Sequence, residues 1–119
     1  MITDQEQIRA AIDYVFSQEM YLPVTRDTFE QVCPCPALAV HVTGRSAAEA
    51  IKLLRIEMAI AGQRHLAGVV IYMKTLSMTM MELEEIDRSI PPADHFRQCM
   101  SFARPEEGEI EIWLFAGTV

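Results

Sequence analysis

Two cysteines one residue apart, in Cys33-Pro34-Cys35-Pro36, are the first residues of this chain that invite a chemical reading. Thiolates at i and i+2 can share a metal ion, and His41 follows shortly after. A structural zinc site uses four ligands, usually as two spaced pairs. The remaining candidates, His65, His95 and Cys99, stand alone in the sequence. Redox pairs usually read C-x-x-C at a helix start, which this stretch does not. Cys33 and Cys35 are therefore expected to be small, partly buried residues in an irregular turn, with metal or redox use as the competing readings. No nucleophile elbow and no H-E-x-x-H pattern surrounds any histidine. Glu82, Glu84 and Glu85 offer paired carboxylates. Glu82 is better read as a helix cap, and the other two as solvated, because a raised carboxylate pKa needs burial or a close like charge. The five glycines (44, 62, 68, 108 and 117) are scattered. No phosphate-cradling glycine-rich loop is present.

The elements that must position these residues announce themselves at their starts. Thr3 is followed by Glu6, Ser46 by Glu49 and Thr79 by Glu82. Each is an S/T-x-x-E capping box, in which hydroxyl and carboxylate satisfy two helix N–H groups. Ile8, Ala11, Ile12, Val15 and Phe16 make one apolar face of a first helix over 4–19. Ile51, Leu54, Met58 and Ala61 make the stripe of a second over 47–61, with Gly62 as its left-handed cap. A third runs over 80–89, burying Leu83, Ile86 and Ile90, and Pro91-Pro92 stops it. Residues 66–73 are apolar throughout and read as a central strand. Ile110, Ile112 and Leu114 alternate with Glu109, Glu111 and Trp113, as in a strand with one face in the core. The turn signal Pro105-Glu106-Glu107-Gly108 predicts that 96–103 and 109–116 pair as a hairpin. Residues 38–43 are a shorter strand. Met73, Met78, Met80 and Met81 are expected to fill core gaps, and Trp113 and Phe115 to be core beneath the first helix.

At 119 residues the chain fits one domain, able to bury roughly two-thirds of its unfolded surface. The net charge of −7 repels phosphate backbones and anionic membrane surfaces. Nucleic acid and membrane are therefore not expected partners. The acids gather at 82–87 and 106–111 and read as solvated faces, or as a dock for a basic partner. No apolar run approaches the roughly 20 residues of a membrane span. The opening Met-Ile-Thr-Asp-Gln-Glu has no basic stretch ahead of an apolar one. Three cysteines form no disulfide framework. A reducing cytoplasm is the expected compartment.

The last 54 residues also carry a family likeness. Leu66-Ala67-Gly68-Val69-Val70-Ile71-Tyr72-Met73 is followed by Thr79-Met80-Met81-Glu82-Leu83-Glu84-Glu85-Ile86-Asp87. Then come 96–103, the turn Arg104-Pro105-Glu106-Glu107-Gly108, and Glu109-Ile110-Glu111-Ile112-Trp113-Leu114-Phe115-Ala116-Gly117. This order resembles the C-terminal domain of FtsZ, the bacterial tubulin homologue. That domain has an A-x-G-V-hydrophobic strand, a Thr/Leu-x-E-hydrophobic helix and a closing hairpin ending in A-T-G. In the family a long helix leaves the GTPase domain and ends in an N-x-D-x-x-D loop, whose acids contact the nucleotide of the next subunit in the filament. Here 4–19 stands in place of that helix and 22–32 in place of the loop. Asp27 matches the first acid, with Phe29 and Val32 at apolar positions around it. Thr25 replaces the asparagine, and Glu30-Gln31 stands where the second acid belongs. The family's G-G-G-T-G-type GTP loop has no counterpart here.

The resemblance implies an α+β fold: a mixed four-stranded sheet with two helices on one face and the N-terminal helix on the other. One domain spans 1–119, with an N-terminal helix over 1–22, a loop over 23–36 and a sheet-and-helix sandwich over 37–119. The function it implies is a non-enzymatic interaction or assembly module that binds no GTP and needs no cofactor. Expected partners are further copies of the chain or an FtsZ/tubulin-like filament protein. Arg26, Asp27, Phe29 and Glu30 are the expected interaction residues. The alternative class is a small-molecule-binding or catalytic α+β domain with sites at subunit interfaces.

Overall fold

A computed structural model describes residues 1–19, 25–61, 66–75, 79–90, 98–103 and 109–118. Helices α1 (Gln5–Ser17), α2 (Arg26–Val32), α3 (Ala47–Ala61) and α4 (Met80–Ser89) and strands β1 (Leu38–Gly44), β2 (Leu66–Lys74), β3 (Gln98–Ala103) and β4 (Ile110–Thr118) follow in the order α1-α2-β1-α3-β2-α4-β3-β4. The chain is an α+β protein. The strands lie in the order β1-β4-β2-β3. β4 runs antiparallel to both neighbours, and β2 and β3 run parallel.

This order corrects one sequence expectation. β3 and β4 do not form a hairpin: β4 is flanked by β1 on one side and β2 on the other, so β3 joins the sheet along β2. A turn signal fixes where a chain reverses, not which strand it then pairs with. Residues 104–108, which carry that signal, lie outside the described residues, as do Gly62, His65, Met78, Pro91-Pro92 and His95.

The period-two alternation of the strands divides the core into two layers. Val40, Val42, Val69, Ile71, Met73, Ile112 and Leu114 face α3 and α4, meeting Ile51, Leu54, Met58 and Ile86. Ala39, Val70, Tyr72 and Phe115 face α1 and α2, meeting Ile8, Ala11, Val15 and Phe29. Phe115 is fully buried in this second layer, and Trp113 packs on its margin.

The helix starts use three versions of one device. Thr79 and Glu82 form the complete capping box, with reciprocal hydrogen bonds of 3.1 and 2.9 Å. Ser46 Oγ accepts from the Glu49 N–H, but the Glu49 carboxylate reaches the Arg45 N–H rather than Ser46. At α1 the cap is Asp4, not Thr3: the Asp4 carboxylate accepts from the Gln7 N–H at 3.0 Å. An ionised carboxylate is the better acceptor at the positive end of a helix.

Two further expectations are revised. The segment read as a loop over 23–36 contains α2, capped by Thr25. Met80 and Met81 do not fill the core; each is 74% exposed on the first turn of α4, whereas Met73 is fully buried.

Candidate functional site

The expected interaction residues fall on α2, where it runs beside α1. Between the helices lies an open cavity of about 180 Å³, lined by Arg9, Ile12, Asp13 and Phe16 of α1, by Arg26, Phe29 and Glu30 of α2, and by Cys33, Pro34 and Pro36. The Arg26 guanidinium meets the Asp13 carboxylate at 2.9 Å and lies 4.9 Å from the centre of the Phe16 ring. Both charges are more than half exposed, so the pair orders the rim more than it stabilises the fold.

Phe29 is buried, set edge-on between Phe16 and Phe115 at 5.7 and 5.6 Å. Its ring anchors α2 to the sheet and leaves Arg26 and Glu30 at the rim. Asp27 sits in the first turn of α2, exposed and outside the cavity lining. The two thiols of Cys33-Pro34-Cys35 sit in different environments: Cys33 is buried and Cys35 exposed. Among the described residues no group of three potential ligands converges on a metal position.

A second constellation was not visible in the sequence. The strand register aligns His41, Trp113 and Tyr72 in one cross-strand row on the α1 side of the sheet. The next row along is Thr43, Glu111 and Lys74. Glu111 is the hub. It accepts from Trp113 Nε1 at 2.6 Å and from the Tyr14 hydroxyl at 3.3 Å, and His41 Nε2 lies 3.2 Å away. The His41 ring stacks on Trp113 at 4.1 Å between centres. Lys74 is nearly buried and donates to Gln18 Oε1 at 2.8 Å. Burial pushes the Glu111 carboxyl up, but the hydrogen bonds from His41 and Trp113, with the charges of His41 and Lys74, outweigh it. The net effect holds Glu111 below its ordinary range.

Tyr72 has a hydroxyl that is buried without a hydrogen-bond partner among the described residues. Desolvation, reinforced by Glu111 and Tyr14, raises its pKa above that of an ordinary tyrosine. The group stays neutral and is held beside an anion. No local motif could have revealed this cluster, because its members come from α1 and from three strands brought together only by the sheet order.

The architecture is that of an α+β sheet with helices on both faces. Neither a family model nor a curated protein matches the sequence. Among solved structures the fold is similar to that of an empty FtsZ dimer from M. jannaschii, with 15% sequence identity and a TM-score of 0.51. The match covers 87% of this chain and 34% of that one. This chain thus has an FtsZ-like fold and spans about a third of the FtsZ chain it resembles. No described helix is long and apolar enough to cross a membrane.

Proposed function

We propose that this chain is a single-domain, non-enzymatic interaction or assembly module, related to the C-terminal domain of FtsZ and acting without bound GTP. One observation carries the reading. Two groups of chemistry-bearing side chains are engaged internally, Glu111 with His41 and Trp113 and Arg26 with Asp13. Large apolar side chains meanwhile stand in solvent on the outer helices: Leu53, Ile56 and Ile60 on α3, and Met80 and Met81 on α4. Clustered exposed apolar groups mark contact surfaces, and methionine makes adaptable ones. The FtsZ-like fold makes a filament protein of that type, or further copies of the chain, the partners of choice.

Sedimentation velocity of the protein alone, then with FtsZ and GTP, tests this reading. Self-association or co-sedimentation supports it, and an inert monomer in both experiments sinks it. The α2 residues take a place in this contact if Asp27→Ala or Glu30→Ala weakens co-sedimentation; unchanged binding removes them.

A second reading, a small-molecule site, has one observation in its favour: the orphan hydroxyl of Tyr72 beside Glu111. A ligand that binds the folded state raises the melting temperature by mass action. A metabolite and nucleotide screen with no shift would dismiss it.

A further inference from the structure

We infer that the outer edge of β1 pairs with the same edge of a second copy of this chain, centred on Val42 and flanked by the two α3 helices. The inference rests on the proposed assembly role and names the surface and the partner.

β1 lies at the margin of the sheet, with β4 on its inner side. Its outer side is already used once. Ile2 and Ala39 exchange backbone hydrogen bonds of 2.7 and 2.8 Å in an isolated antiparallel bridge. Backbone groups alternate in direction along a strand. If Ala39 points outward, so do His41 and Thr43, whose outer groups have no strand beside them among the described residues. Such a row is a template for strand addition.

The register of that addition is constrained. An antiparallel twofold centred on Val42 sets His41 against Thr43 of the second copy, and Thr43 against its His41, giving two hydrogen-bonded pairs. The next position outward sets Val40 against Gly44, the last residue of β1. One step further would collide with Ile2 at Ala39, but there the incoming strand has already ended and turned into α3. The free edge therefore matches its own length when paired with itself. Gly44 permits that tight exit: a Cβ there would stand 2.8 Å from the Ala50 nitrogen.

The helix above the edge carries a matching surface. Leu53, Ile56 and Ile60 recur at i, i+3 and i+7, a single stripe, and are 37%, 47% and 65% exposed. Arg55 reaches Ser89 and so marks the flank of α3 that faces α4. The stripe lies roughly 100° or more around the helix from Arg55. Glu57, beside the stripe, binds the N-terminal ammonium at 2.8 Å, next to the Ile2 bridge on the β1 edge. The flank of α3 toward the β1 margin therefore carries Glu57 with Leu53 beside it, while Ile56 lies opposite the core face of Ile51, Leu54 and Met58. The twofold that pairs β1 with its copy sets α3 antiparallel to its copy on the same face of the joined sheet, with the Leu53 and Glu57 flanks toward each other. That approach covers Leu53, and an isologous interface sets each such group against the same surface of its copy.

Thr43→Pro and Leu53→Glu separate this contact from folding. The Thr43 N–H points away from β4, so proline there removes an edge donor and leaves the β1–β4 ladder intact. Sedimentation velocity across a concentration series is expected to show a dimer for the wild type. Each variant should weaken the dimer at least tenfold, with an unchanged circular dichroism spectrum. Val42→Cys reports the register: opposed residues of a non-hydrogen-bonded pair are close enough for a disulfide. Under mild oxidation a Val42→Cys dimer should yield a peptide linked through position 42 of both copies. A wild type that stays monomeric at all concentrations overturns the inference, as does a dimer indifferent to both substitutions. If the wild type is monomeric yet co-sediments with FtsZ, the edge pairing falls and the interaction role stands. If it does neither, both fall.

Discussion

Gly68 lies directly beneath Val32, so close that a Cβ at position 68 would overlap the Val32 carbonyl oxygen. The C-terminal turn of α2 thereby rests on the backbone of β2, next to a register shift between Leu66 and Gly68. The glycine is there for space rather than for conformation. Gly68→Ala must push α2 outward, disturbing Phe29 and the cavity it helps to line. The expected cost is about 3 kcal/mol, at the upper end for overpacking. Urea denaturation checks it. A loss below about 1 kcal/mol would mean that α2 is not seated on β2 as described.

Glu111 makes stability depend on acid. Its carboxyl is held below the ordinary range in the fold, so the unfolded chain takes up its proton first as pH falls. The stabilisation is fully present above the ordinary carboxylate value of 4.5 and is lost as pH drops through the lower, folded value. Glu111→Gln should flatten the acid limb of melting temperature against pH. At neutral pH it should cost about 1–3 kcal/mol, because Lys74 and His41 lose their anion. Superimposable acid limbs for wild type and variant would show that the cluster contributes nothing through this residue.

Tyr72→Phe tests the opposite case. The hydroxyl is buried and unpartnered among the described residues, a state that costs about 1–3 kcal/mol. Removing it should leave stability unchanged or raise it by about 1 kcal/mol. The raised pKa adds a second signature. The unfolded tyrosine begins to ionise near pH 10 while the folded one does not, so wild-type stability should fall as pH rises past 10, and this part of the fall should vanish in Tyr72→Phe. A clear destabilisation by the substitution would mean that the hydroxyl has a partner, which would favour the small-molecule reading.

Much of this architecture is legible in the chain. α3 and α4 follow from capping residues and an apolar stripe, because both signals are local and span three or four turns. The buried strand β2 follows from an unbroken apolar run. α2 does not, since seven residues give no measurable period and its apolar side rests on Phe29 alone among its buried residues. The position of β3 is likewise hidden, because its neighbour is chosen by the whole sheet. The functional residues follow the same rule. Cys33 and Cys35 stand out by spacing yet point into different environments. His41, Glu111 and Trp113 are unremarkable in sequence and become a cluster only through the register of β1 with β4.

The thiols offer a direct check on that contrast. Cys35 should react readily with iodoacetamide in the native protein, while Cys33, buried beside Phe29, should react only after unfolding. Peptide mapping by mass spectrometry distinguishes the two. Equal labelling under native conditions would contradict the packing of α2 against the sheet. Protection of both thiols that is relieved by a chelator would restore the metal reading of Cys33-Pro34-Cys35.

Phe29 and Asp27 separate folding from binding on α2. Phe29 touches Phe16 and Phe115 edge-on and is almost wholly buried, so Phe29→Ala should cost about 3–5 kcal/mol through the cavity it leaves. Any binding defect in that variant would be a folding defect. Asp27 is exposed and contributes only a charge near the helix start, so Asp27→Ala should shift stability by no more than about 1 kcal/mol. Measuring both variants by denaturation and by co-sedimentation with FtsZ assigns the surface. If Asp27→Ala keeps its fold and loses its partner, the first turn of α2 is part of the contact. If it keeps both, the contact lies on α3, α4 or the β1 edge. A Phe29→Ala variant as stable as the wild type would show that α2 does not dock through this ring.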